Sequence, residues 1–263
     1  MNALSQSLLA WAVYPGVIWL AALLVLVALV QGAPLPGGGL VRSLSHAARP
    51  LAWLAALGCG LAALALLPWP RPEQQAPLAI LLVWSLSEAC HLLALFGGLS
   101  SNDPARNRSA AREAQLTALG RVALWLGALV AWQSAGFSAA RIAGIVAALV
   151  ALPLALQWPP WGHARAWPHA EEYAASQRAT ALFLALLRTA LPLATLVTLC
   201  LTLPSLVWWQ QLLLQLGLLV GLMSIERGWR GLVVQQHLET ALRWGWRVVL
   251  PLAIFALLVQ ALG

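Results

Sequence analysis

Thr180 to Leu203 reads TALFLALLRTALPLATLVTLCLTL, and this stretch decides the fold. Its 24 residues hold a single charge, Arg188, and a single proline, Pro192. About 20 apolar residues in a row are enough for an α-helix to cross the hydrocarbon core of a bilayer. The backbone has no water to bond with there, so a run of this kind must close its hydrogen bonds internally as a helix. Similar runs recur on either side. The pattern predicts spans at about 8–30, 51–67, 77–98, 116–132, 140–156, 180–203, 205–223 and 244–262. Chain breakers separate them: Gly32 to Gly39 after the first, Pro68, Pro70 and Pro72 after the second, Pro159 and Pro160 after the fifth, Pro204 after the sixth. The expectation is an all-α polytopic membrane protein with about eight transmembrane helices in one integral membrane domain.

Composition agrees. Apolar residues make up 61% of the 263, and charged ones only 9%. A soluble domain carries roughly a quarter charged residues, so a water-soluble globule, a disordered chain and a fibrous repeat are all excluded. The net charge of +7 does not point to nucleic acid. Every one of the 15 basic residues is an arginine, and most lie in short connections between apolar runs. Arginines so placed report topology, not a phosphate-binding face. Cys59, Cys90 and Cys200 each sit alone in an apolar run. They read as small buried hydrophobes, with no spacing for a metal site or a disulfide framework. Residues 8–30 read as a retained span, with no basic leader and no small-residue cleavage site before them.

The arginines also orient the chain. The connections after spans one, three, five and seven hold Arg42, Arg49, Arg106, Arg108, Arg112, Arg165, Arg178, Arg227, Arg230 and Arg243. The opposite connections hold only Arg71 and Arg141. Positive residues favour the cytoplasmic side. Loops at about 31–50, 99–115, 157–178 and 225–243 are therefore expected in the cytoplasm, and both termini on the outer, periplasmic side of a prokaryotic inner membrane. Residues 40–49 suit a short helix lying in the interface. Trp158, Trp161 and Trp167 suit interfacial anchors.

Intramembrane charge is the sharpest chemical signal, because a carboxylate or guanidinium at mid-bilayer costs roughly 2.5 kcal/mol or more. Glu88 lies near the middle of the third span, with Ser85 one turn before and His91 one turn after. The three make a candidate proton-path segment. Arg188 lies too deep to snorkel, and Glu88 is the partner expected for it by scarcity of acids. Glu171 and Glu172 fall in the loop between spans five and six. No nucleophile elbow, P-loop, dinucleotide fingerprint or HExxH occurs, and no catalytic or metal site is expected within the chain.

Several stretches then align with one family. Tyr14-Pro15-Gly16 opens the first span. Gly98 to Glu113, GLSSNDPARNRSAARE, ends in an Arg112-Glu113 pair. Glu172-Tyr173 leads to Ala181-Leu182-Phe183. Gln235 to Leu252, QQHLETALRWGWRVVLPL, carries Trp246, Arg247, Leu250, Pro251 and Leu252. In order and spacing these resemble the NADH dehydrogenase subunit 1 family, a membrane component of NADH-quinone oxidoreductase, complex I. The likeness is greatest to its shorter relatives in energy-converting hydrogenases and formate hydrogenlyases.

That resemblance implies a membrane component of an oxidoreductase complex, one that secures a peripheral electron-transfer arm against the bilayer. It implies peripheral Fe–S and catalytic subunits on the cytoplasmic side, and antiporter-like membrane subunits and lipid beside the chain. Fe–S centres would belong to the partners, and a quinone to the interface. Arg112, Glu113, Arg165, Glu171 and Glu172 would face that partner or quinone site, and Arg106, Arg108, Arg227 and Arg230 would dock it. The family's acids have no counterpart near Gln31-Gly32-Ala33, Arg121-Val122 or Leu186-Leu187-Arg188, so a proton path would be degenerate here. The alternatives are a small proton-coupled transporter using Glu88, His91 and Arg188, or a structural assembly protein of the membrane.

Overall fold

A computed structural model describes residues 17–32, 50–70, 79–100, 102, 104–134, 136–158, 160–161, 175–201, 206–230, 232 and 237–262. Among the described residues the regular structure is entirely helical. Among the described residues, five helical stretches are long and apolar enough to cross a membrane: Ile80–Leu99, Asn107–Gln133, Ala179–Cys200, Trp208–Trp229 and Leu238–Leu262. Three shorter apolar helices accompany them, Ile18–Gln31, Leu51–Leu66 and Ala139–Ala155. The start of the expected first span, the 40–49 segment and Tyr14-Pro15-Gly16 lie outside the described residues.

The chain forms two compact units. The first contains α1 (Val17–Gln31), α2 (Pro50–Leu66), α3 (Ala79–Leu99) as far as Ala94, and α6 (Ala175–Thr195) as far as Leu191. α1 and α2 bury one stripe each: Leu20, Leu23, Leu24, Val27 and Ala28 on α1, and Trp53, Ala56, Leu57, Ala63 and Leu64 on α2. The spacing of three and four is that of a single helix face. Trp69 closes the end of α2. Its indole Nε1 donates to the Leu64 carbonyl at 2.7 Å, one of the acceptors that a helix C-terminus leaves over. The same ring meets Trp19 of α1 edge-on, with centroids 5.2 Å apart.

The second unit is built on a helical hairpin, α4 (Pro104–Gln133) and α5 (Ala139–Ala155). Small residues let the two backbones touch. A Cβ placed on Gly127 would lie 2.7 Å from both Gly144 O and Ala148 N, closer than any real Cβ comes. The turn between them needs Gly136, whose φ is +58°. Ser138 then caps α5, its Oγ accepting from Arg141 N at 3.2 Å. α5 ends with the 6→1 and 5→2 bonds of a Schellman motif, Trp158 N to Pro153 O at 2.8 Å and Gln157 N to Leu154 O at 3.3 Å. α7 (Trp208–Arg230), α8 (Leu238–Trp244) and α9 (Leu250–Leu262) complete the unit. A π-turn, Gly245–Val249, joins α8 to α9, and another, Leu196–Cys200, continues α6 beyond Thr195.

One boundary departs from expectation. Residues 104–115 of the expected 99–115 loop are the first three turns of α4, which runs 30 residues from Pro104. Hydropathy alone hid this. Arg106 to Glu113 is too polar to score as a span, yet Pro104 at the first helical position, followed by Ala and Arg residues, favours helix. α7 likewise runs on to Arg230, past the expected end at residue 223.

Candidate functional site

The first unit brings Arg188 of α6 to His91 of α3, and Nε donates to His91 Nδ1 at 3.2 Å. A guanidinium never gives up its proton in a protein. Nδ1 therefore supplies the lone pair in this contact. His91 lies one turn beyond Glu88, the partner expected for Arg188. Cys90, fully buried, lies within electrostatic reach of the same guanidinium. α2 comes close enough for a Cβ on Gly60 to fall 2.8 Å from Cys90 Sγ and 3.3 Å from Leu187.

Along the expected line Ser85–Glu88–His91, burial rises from exposed Ser85 through half-buried Glu88 to buried His91. Residues three apart drift about 60° around a helix at each step, so Ser85 and His91 end up about 120° apart. Ser85 is exposed and donates to the Leu81 carbonyl of its own helix at 2.9 Å. The buried face of α3 instead carries Ile80, Val83, Ser87, Cys90, His91 and Leu95, with Glu88 half-buried at its margin.

The second unit holds a separate set of buried polar groups. On α4, Glu113, Thr117 and Arg121 recur every four residues and are all buried. The Thr117 hydroxyl donates to the Glu113 carbonyl at 2.8 Å. On α7, Gln215, Leu219, Met223 and Glu226 form the buried face. Gln215 and Glu226 escaped the sequence reading; Gln215 is uncharged, and Glu226 lies beyond residue 223, where the span was ended. Their signal was the 4-4-3 spacing with Leu219 and Met223. Glu113, assigned from sequence to the loop facing a partner or quinone, lies within α4 and is buried.

Arg141 has a structural task. It is buried, with Nη1 donating to Gly136 O and Nη2 to Cys200 O, both at 3.3 Å. The Cys200 carbonyl belongs to the π-turn that ends the long α6 run, where a cation also offsets the negative end of the helix dipole.

Of the arginines expected to dock a partner, Arg106, Arg108 and Arg112 fall in the first turns of α4, where Arg108 is exposed and donates from Nε to Pro104 O of its own helix at 3.2 Å. Arg227 is exposed near the end of α7, and Arg230 is that helix's last residue. Arg165, Glu171 and Glu172 lie outside the described residues. Among the described residues, no group of three His, Cys, Asp or Glu is placed to hold a metal ion. No protein-family profile and no curated protein matches the chain.

Proposed function

We propose that the chain is the membrane anchor of a complex I-like or membrane-bound hydrogenase-like redox complex, securing a peripheral electron-transfer arm at the cytoplasmic face of a prokaryotic inner membrane. In this reading eight helices cross, both termini face outward, and the partners are Fe–S and catalytic subunits below and other membrane subunits beside. The observation that carries it is the length of α4. Its 30 residues make a rod of about 45 Å at 1.5 Å per residue. The hydrocarbon core is about 30 Å thick. Some ten residues, Pro104 to Glu113, therefore extend beyond the core, and they include Arg106, Arg108 and Arg112. A helix displays guanidinium groups such as those of Arg108 and Arg112 at fixed spacing, which suits bidentate recognition of carboxylates on an acidic partner. The motifs shared with the NADH dehydrogenase subunit 1 family support the same reading. Replacing Arg108 and Arg112 together by Glu should release the peripheral arm while the chain still inserts. Recovery of the intact complex from that double variant would refute the docking role.

Proton-coupled transport by the chain alone is the second reading, favoured by the Arg188–His91 contact between two helices of the first unit. The purified chain in sealed liposomes would then dissipate an imposed pH gradient, and His91→Gln would slow it. The anchoring reading expects no flux.

A further inference from the structure

α7 wears its polarity inside out. Gln215 and Glu226 are 0% and 2% exposed, while Leu213 and Ile225 are 61% and 54% exposed. A helix facing water does the reverse. The solvent on its outer side is therefore apolar. In the most apolar 18-residue window of α7 only 17% of residues are buried within the chain, against 61% in the corresponding window of α4. Tryptophans mark both ends of the outer surface. Trp208 and Trp209 are exposed at the first turn and Trp229 at the last. Twenty-one residues separate Trp208 from Trp229, a rise of about 31 Å. That equals the hydrocarbon thickness of a bilayer, about 30 Å, and tryptophan rings settle at its two headgroup boundaries.

We propose that the outward face of α7 is a lipid-contact surface, so that this helix lies on the rim of whatever assembly the chain enters and spans the bilayer between its two tryptophan ends. The competing occupant is a second membrane helix. Gly217, Gly221 and Gly228 lie on this face with nothing within 4 Å of the position a Cβ would take, which leaves room for one. The aromatic ends decide for lipid. Rings that anchor at a headgroup boundary need that boundary beside them, and the distance between them matches the bilayer without adjustment. The proposal shares with the anchoring reading only residence in the bilayer, and the docking arginines play no part in it.

Nitroxide labels at Leu213→Cys, Leu218→Cys and Ile225→Cys test this in native membranes, in a Cys59→Ala background, since Cys90 and Cys200 are buried. Leu218 lies about 15 Å from each tryptophan end. The ratio of oxygen to aqueous nickel-chelate accessibility should rise severalfold from Leu213 to Leu218 and fall again at Ile225. Low oxygen accessibility with an immobilised spectrum at Leu218 would place a protein helix there and overturn the proposal. High chelate accessibility would place water there and overturn it equally. Gly221→Ile provides an independent arm, because the chain itself has space for the side chain. Lipid contact predicts unchanged mass of the complex extracted in mild detergent, and dissociation of a component would refute it. Loss of the peripheral arm in the arginine variants should leave the accessibility profile as it was.

Discussion

Arg188 and Arg141 are the same side chain in two unlike settings, and the two units solve the problem of a membrane arginine differently. Arg141 ends on backbone carbonyls, Gly136 O and Cys200 O. Those acceptors are always present and never titrate. Arg188 donates to the Nδ1 of His91, a side-chain acceptor carried by another helix. The first pair of acceptors is fixed by the backbone, and the second is a side chain that a single substitution removes.

The sharpest way to break the comparison is to remove the hairpin that makes Arg141's site. Gly127→Leu drives a side chain into the α5 backbone, where even a Cβ has no room. Overpacking typically costs about 1–3 kcal/mol and more where backbone must move. The expected outcome is the largest loss of the set, with failure to recover folded protein in mixed micelles. Wild-type yield and unfolding midpoint for this variant would contradict the close crossing of α4 and α5.

Next comes the pair of substitutions at His91. His91→Leu takes the Nδ1 acceptor from a buried guanidinium, which should cost about 3 kcal/mol in equilibrium unfolding. His91→Gln keeps a neutral acceptor and should cost about 1 kcal/mol or less. Equal losses would show that Arg188 does not depend on the acceptor. Arg141→Met should fall between these, at about 1–3 kcal/mol, since it removes two donors and leaves the helix-end carbonyls to find water near the membrane surface. Its stability should not change with pH across the range in which a histidine titrates, and a pH-dependent loss would contradict the carbonyl assignment.

The smallest effect is a gain. Gln157 takes φ +54° at the end of α5, a conformation that costs a non-glycine residue about 1 kcal/mol. Gln157→Gly should raise stability by about 0.5–1 kcal/mol, read as a higher unfolding midpoint with the Arg141 contacts unchanged. A lower midpoint would show that the glutamine side chain contributes more than the strain removes.

Much of this frame was legible from the order of the amino acids. Apolar runs and proline or glycine breaks placed the helices, because hydrocarbon solvent demands length and internal hydrogen bonding and both leave plain marks. The need of Arg188 for a partner was legible for the same reason. Scarcity of acids pointed to Glu88, and a count of opposite charges overlooks a nitrogen lone pair such as that of His91, which accepts from Arg188. Helix ends were misread where helix and membrane boundaries differ. Arg106 to Glu113 and Ser224 to Arg230 are helical but too polar to score as spans, so the burial of Glu113 and Glu226 was missed with them.

The glycine contact between α4 and α5 has a mechanical side. Gly120 and Gly127 fix α4 against the backbone of its neighbour, and no proline interrupts α4 beyond its first residue. Such a rod tilts as one piece about the place where it is held. From the middle of the held stretch the arm to Pro104 is about 29 Å and the arm to Gln133 about 14 Å. Gln133 at the tip of the short arm is hydrogen-bonded to Gln260 of α9, with 2.9 Å between the amides. A sideways push of about 3 Å on the arginine-bearing end would therefore reach the Gln133–Gln260 contact as a shift of about 1.5 Å, reduced by the ratio of the two arms and reversed in direction.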